Sequence, residues 1–470
     1  MLAAAFLAFP LTFALIPPEP IQTLLVPDGA GGDEAGRSIA LSDRRLLLGV
    51  PLSNADGASN RGAAWLFRTN ADGTWQPETR LVAPDGLPND EFGFSVGLDD
   101  EVAIVGAWQD DVGAKTDAGS ASVFRFVLGE WIHEATLIAG DGASDDEFGR
   151  SVAIRGDTAL VGAWLSGLFD TGAVYVYRRQ TNGTWLQTQK LTPPGIASGD
   201  QVGTTIAFDG ERAIIGAWGD EDGAAGNTGS ATVWKLNTNG NFTYEAKLIG
   251  SDVVASDELG RGVAIDGELA VVGSWPFFGN GIGKAYVFRR SGTIWTQEAK
   301  LTAPDGATDD YFGFSVACKR DPSGDVVACG AWADDVSGTT NQGSVWIFRR
   351  QGTAWDGGSQ VVAEDGGPSD YFGFSLSLAC ETLAIGTRLD DVGRNLNQGS
   401  ARLWWLEDLD ADGHPDLCRE PADLNGDGAV NASDLAELLG GWGSLGPTDL
   451  DGNGTTDAAD LAVLLAGWTA

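Results

Sequence analysis

The segment FGFSV at Phe92 returns along the chain as FGRSV at Phe148, VGTTI at Val202, LGRGV at Leu259, FGFSV at Phe312 and FGFSL at Phe372, with a diverged copy, AGRSI, at Ala35. The shared glycines, Gly36, Gly93, Gly149, Gly203, Gly260, Gly313 and Gly373, stand 53 to 60 residues apart. Self-similarity at such a period means that one supersecondary unit has been copied, and that each copy buries its apolar face only against its neighbours. Seven units must therefore stack in a row or close into a ring.

Four short patterns recur inside each unit, bounded by Gly, Asp, Asn or Pro as strands joined by hairpins are. The first is the FG-x-S-V segment. The second is apolar-apolar-Gly, as in AIVGAW ending at Trp108 and ALVGAW ending at Trp164. The third carries an aromatic at Phe67, Phe124, Tyr177, Trp234, Phe288, Phe348 and Trp404. The fourth resembles TRLVAPDG and is often led by a tryptophan, Trp75, Trp185 or Trp295. Four antiparallel strands repeated seven times describe an all-β, seven-bladed β-propeller, whose radial repetition leaves only short protected edges. A solenoid is the competing layout, and the chain ends decide between them. The last unit stops after its third strand, GSARLWW, while an orphan fourth strand, IQTLLVPDG, precedes the first unit. Residues 21–29 are thus expected to pair beside residues 399–405 and close a ring spanning 21–407.

These motifs resemble the FG-GAP repeats of integrin α-subunit propellers and of many bacterial secreted proteins. That resemblance implies a propeller serving as an interaction head. Integrin-type blades that bind calcium carry a D-x-D-x-D-G hairpin, and none of the seven units contains one.

Within the repeats, the glycine after Phe is expected on the crowded innermost strand, where a side chain would meet its neighbours. Three residues before it stands an aspartate in every unit: Asp33, Asp90, Asp146, Asp200, Asp257, Asp310 and Asp370. A carboxylate entering a strand from a tight turn accepts backbone N–H bonds, so a turn cap outweighs a functional ring. Basic residues after the third-strand aromatic, such as Arg125 and Arg289, either pair with carboxylates or solvate an outer strand. Loops following the second strand, such as WQDDVGAKTDAG, are expected on one face, where propellers commonly place ligand contacts. Trp108, Trp164, Trp218, Trp275 and Trp332 lead these loops. Their rings suit sugar recognition beside carboxylates, but blade packing explains them more simply.

Sixty-six acidic against 29 basic residues give a formal charge of −37. Such a charge repels nucleic acid and anionic membranes and favours divalent cations. Residues 1–20 hold an apolar run of about 15 residues, the length of a signal-peptide core rather than a membrane span, so export is expected. Four cysteines cannot staple a chain of 470 residues. Cys318 and Cys329 read as buried thiols on strands, with a cross-hairpin disulfide as the alternative, while Cys380 and Cys418 are left as either a long-range pair or two thiols. With two histidines in the chain, a Ser-His-Asp triad or a zinc hydrolase has almost no material. Paired carboxylates for glycoside cleavage have an invisible separation in sequence, and no pair stands out.

The tail is duplicated. DLNGDGAVNASDLAELLGGW begins at Asp423, and DLDGNGTTDAADLAVLLAGW begins at Asp449. Calcium takes six to eight hard oxygens, which a 12-residue loop delivers from places 1, 3, 5, 7, 9 and 12 with glycine at 6. These places hold Asp423, Asn425, Asp427, Ala429 through its carbonyl, Asn431 and Asp434 in one copy. In the other they hold Asp449, Asp451, Asn453, Thr455 through its carbonyl, Asp457 and Asp460. Helices should follow, with Leu435, Leu438, Leu439 and Leu461, Leu464, Leu465 on one face each, burying Trp442 and Trp468 between them. One loop plus one helix, doubled over residues 423–470, resembles the type I dockerin domain, which implies two calcium ions and a cohesin-like extracellular protein partner. The intervening residues 408–422, with Asp408, Asp410, Asp412 and Asp416, resemble a thrombospondin type 3 calcium repeat and add a third candidate site. The sequence thus points to a secreted, calcium-binding, non-enzymatic scaffold, with a carbohydrate-binding or glycoside-hydrolysing component of a polysaccharide-degrading assembly as the alternative.

Overall fold

The computed structural model describes residues 20–42, 44–70, 73–221, 226–276, 281–320, 324–379, 382–406, 432–443 and 456–466. They form two units, a large one that ends at Trp404 and a small one holding the two C-terminal helices. Among the described residues, no helix is long and apolar enough to cross a membrane. The expected signal segment, Cys380, Cys418 and the 408–422 linker lie outside the described residues.

Seven antiparallel sheets build the large unit. Blade 3 shows the plan: Phe148–Arg155, Thr158–Ala163, Ala173–Arg179 and Trp185–Leu191 follow one another across the sheet. Blades 1, 2, 4 and 5 repeat it. In blade 6 the outermost strand is split into Ala354–Trp355 and Ser359–Val361, and at the break Asp356 Oδ1 accepts the Arg349 and Gly358 backbone N–H groups, each at 3.1 Å. Blade 7 is closed by the first described strand, Gln22–Leu24, with Gln22 opposite Leu403 and Leu24 opposite Ala401. The ring closes where the orphan strand predicted it.

The core lies between the blades. Leu24 and Leu403 of blade 7 pack with Leu46 and Leu48 of blade 1, and equivalent clusters recur around the ring. Phe92, Phe148, Phe312 and Phe372 are fully buried. Each meets the third-strand aromatic of its own blade edge-on, with Phe92 6.1 Å from Phe124 and Phe372 5.3 Å from Trp404. Two of the four sequence patterns are therefore halves of one contact.

The FG glycine has a different neighbour from the one expected. It lies at the entry to the inner strand, and a Cβ on Gly93 would fall 2.2 Å from the carbonyl oxygen of Ala63, which starts the third strand of the preceding blade. Its φ of 96° also excludes an ordinary side chain. What crowds the position is the adjacent blade, because wedge-shaped sheets approach most closely at their inner corners. A second glycine completes the joint: a Cβ on Gly49 would lie 2.1 Å from the Gly93 carbonyl oxygen. The motif serine locks it, since Ser38 Oγ donates to that same carbonyl at 2.9 Å. Ser95, Ser151, Thr205 and Ser315 repeat the bond onto the next blade, and Ser375 donates to Gly36 across the ring closure. In blade 5 the serine is replaced by Gly262, whose added Cβ would lie 2.7 Å from the Phe314 carbonyl oxygen.

The small unit holds α1, Ala432–Gly440, and α2, Ala458–Ala466. Leu438 and Leu464 are fully buried against each other, flanked by Leu435 and Leu461. Leu439, Leu465 and Trp442 depart from expectation and stay about half exposed, at 54 %, 53 % and 47 %. With a single partner helix the buried stripe is two residues wide, and the next position, one helical step round, turns away from it.

Candidate functional site

The seven aspartates resolve as turn caps. Asp33, Asp90, Asp146, Asp200, Asp257, Asp310 and Asp370 each accept the backbone N–H three residues upstream, for example Ala143 N–H to Asp146 at 2.8 Å. Their environments differ. Lys284 pairs with Asp257 at 2.9 Å, whereas Asp90 faces Asp85, Asp110 and Asp111. Burial first, and these neighbours second, push the Asp90 carboxyl up to about 6. Asp310, crowded by Asp334, Asp305 and Asp335, is pushed up to about 6 in the same way.

The basic residues bind the outer rim together. Glu134 receives Arg125 at 3.2 Å, Arg179 of the next blade at 2.7 Å and the Trp185 indole at 2.9 Å. These donors outweigh its burial and hold its carboxyl below the usual range. Arg289 bridges Glu298 at 2.7 Å and Asp325 at 2.5 Å. Cys318 and Cys329 are buried free thiols, and burial pushes both up, so neither is a reactive thiolate.

A cavity lies on the axis. It measures about 280 Å³ and is walled by the first strands of all seven blades. Strands alternate in direction, so the FG corner, the second-strand tryptophans and the loops after them share the face at which this cavity begins. The FG glycine shapes the wall. In blade 3 Phe148 pairs with Ala163 and Ser151 with Gly162, so Gly149 and Arg150 form a bulge, which re-aims the side chain that follows the glycine. The residue at x in FG-x-S therefore points to the axis: Arg37, Phe94, Arg150, Thr204, Arg261, Phe314 and Phe374 line the cavity in turn. Sequence reasoning missed these residues. The available signal was that x is Arg or Phe in six of the seven units while its flanks repeat.

The tryptophans pack against this ring. Arg261 lies 3.7 Å from the Trp218 ring centroid, and Arg150 4.7 Å from that of Trp164. Trp275 stands 4.9 Å from Phe314, and Trp332 4.6 Å from Tyr371. The indoles of Trp108 and Trp164 donate to Glu91 and Glu147. Blade packing thus accounts for the tryptophans, and at the x positions the lining is arginine and phenylalanine except for Thr204.

Of the proposed calcium ligands, the described ones are Asp434, Asp457 and Asp460. Asp434 and Asp460 sit in the first turns of α1 and α2 and are fully buried. Asp460 Oδ2 accepts the Asp457 N–H at 2.7 Å, and Asp457 Oδ1 accepts the Ala459 N–H at 2.8 Å. Gly443 donates to the Thr456 carbonyl at 2.8 Å, tying the end of α1 to the entry of α2. Asp423, Asn425, Asp427, Ala429, Asn431, Asp449, Asp451, Asn453, Thr455, Asp408, Asp410, Asp412 and Asp416 lie outside the described residues. Two fully buried carboxylates next to carbonyl and carboxamide donors in sequence are a hard-oxygen set, which fits calcium.

The family model for the FG-GAP repeat matches residues 75–124, 131–177, 185–234, 242–288, 295–348 and 355–403. Each match runs from the outer strand of one blade to the third strand of the next, so it spans the joint described above. No curated protein matches the chain. Among solved structures, a protein from Lactobacillus plantarum is 12 % identical, with 80 % of this chain and 95 % of that chain covered at a TM-score of 0.48. With more than half of its length matched, blade after blade, the chain belongs to the FG-GAP repeat family.

Proposed function

We propose that this is an exported binding protein in which the propeller is the interaction head and residues 423–470 are a calcium-dependent docking module for another extracellular protein. The observation that carries the reading is the duplicated loop and helix, whose two helices pair through Leu438 and Leu464 with Asp434 and Asp460 buried at their starts. Helices of nine residues are too short to persist alone in water, and a two-leucine contact adds little. Calcium held by the preceding loops would add oxygen contacts that tie each loop to its short helix, and folding is then coupled to metal binding. Each loop takes one ion, and residues 408–416 are a third candidate. The arrangement resembles dockerins, so a cohesin-like protein is the proposed partner type. The acidic surface favours export to a calcium-rich medium and disfavours nucleic acid.

The test is circular dichroism of the chain with and without millimolar calcium, alongside the Asp434→Ala, Asp460→Ala double variant. A helical signal that appears with calcium in the unmodified chain and is absent from the double variant supports the module. An identical signal in all four samples refutes it.

A further inference from the structure

The axial cavity carries a charge arrangement that the packing does not explain. Arg37 and Arg150 approach Phe94, with guanidinium carbons 3.9 Å and 4.4 Å from its ring centroid. Among the described residues neither guanidinium has an ion pair. The carboxylates nearest to them are already engaged: Glu34 is held by Arg388 at 2.7 and 2.9 Å, Glu91 by the Trp108 indole at 2.8 Å, and Glu147 by the Trp164 indole. Burial first, then the positive charges of Arg388 and Arg150, lower the Arg37 guanidinium to about 9, with Glu34 and Glu91 opposing them. Burial lowers Arg150 to about 10, with Arg261 adding to it and Glu147 opposing it. A guanidinium offers five N–H donors in a planar fork that matches a carboxylate, and two such forks here converge on one cavity with their donors uncommitted. On the two blades that follow Arg261, Phe314 and Phe374 stand 4.9 Å apart and line the same cavity, with the Arg37 guanidinium 5.6 Å from the Phe374 ring. Guanidiniums and apolar rings therefore stand side by side in one cavity.

We propose that the axial cavity of the propeller is a binding site for a small carboxylate, whose oxygens take the forks of Arg37 and Arg150 while its ring or chain lies against Phe314 and Phe374. The proposal rests on the propeller being the binding head. A volume of about 280 Å³ accommodates a single ring with its acid group, either a flat aromatic acid or a sugar acid. Both present the same chemistry, and the experiment tells them apart.

The experiment is isothermal titration calorimetry of the full chain with benzoate and with glucuronate, each beside its neutral counterpart, benzamide or glucose. At least one acid is expected to bind, with its neutral counterpart at least tenfold weaker. Arg37→Gln and Arg150→Gln are each expected to weaken that acid at least tenfold. Benzoate alone binding identifies an aromatic acid site, and glucuronate alone identifies a sugar acid site. Binding of neither acid, or equal binding of acid and neutral compound, overturns the proposal and leaves water as the partner of both guanidiniums. So does an acid affinity unchanged in both variants. Should a variant fail to fold, the comparison of acid with neutral compound in the unmodified chain still decides. Failure here leaves the binding-head reading standing on the loop face, and the calcium response of the C-terminal helices reads a different unit.

Discussion

A methyl group on Gly93 would have to pass through the Ala63 carbonyl and hold a φ of 96°. Strain and overpacking together put the cost of Gly93→Ala on the order of 3 kcal/mol or more. Ser95→Ala, which removes only the hydroxyl bond to the Gly149 carbonyl, should cost about 1 kcal/mol. Denaturant melts of the two variants check the ranking. Protonation is a second residue-scale matter. Asp90 and Asp310, raised from an ordinary 3.8 to about 6, hold their protons more tightly folded than unfolded. Their contribution is fullest below the unfolded value and is lost as pH rises through about 6. Glu134 and Glu298, which are lowered, act oppositely, but only as pH falls through the ordinary carboxylate range. The propeller should therefore melt at a higher temperature near pH 5 than near pH 7.5. Asp90→Asn with Asp310→Asn should keep the caps and flatten that difference in a calorimetric scan. The seven caps were legible in sequence because a fixed offset from the glycine repeats. The inward arginines were not, because aiming x at the axis takes a bulge, and a bulge depends on pairing with a strand that lies ten residues on.

At the scale of elements, the closing strand is the clearest inference from sequence to structure. An unmatched fourth-strand pattern at one end and a missing one at the other left a ring as the economical solution, and Gln22–Leu24 pairs where that requires. Leu24 is 2 % exposed in the joint between blades 7 and 1, so Leu24→Ala should cost about 2–5 kcal/mol. The same change at Leu186, a half-exposed outer-strand position, should cost far less, and thermal unfolding of both variants measures the contrast. The C-terminal helices were legible in place but not in full detail. Periodicity put three leucines on one face of each helix, whereas the pair buries Leu438 and Leu464 fully and Leu435 and Leu461 in part. How many sides of a helix are covered is a property of the assembly, not of the stripe.

On the scale of the whole molecule, the propeller and the helix pair use different physics. The propeller rests on glycine joints and interblade apolar clusters, which need no ligand. The helix pair has two buried carboxylates and a small apolar contact, and in the proposed reading it folds around a cation. The account's functional claim depends on that cation. Its most direct measurement is a calorimetric titration of the full chain with calcium, repeated on the Asp434→Ala, Asp460→Ala variant. Saturable uptake of two ions per chain, or three if residues 408–416 join in, with the two ions lost in the variant, is the expected result. No uptake, or uptake unchanged by the double substitution, would contradict it.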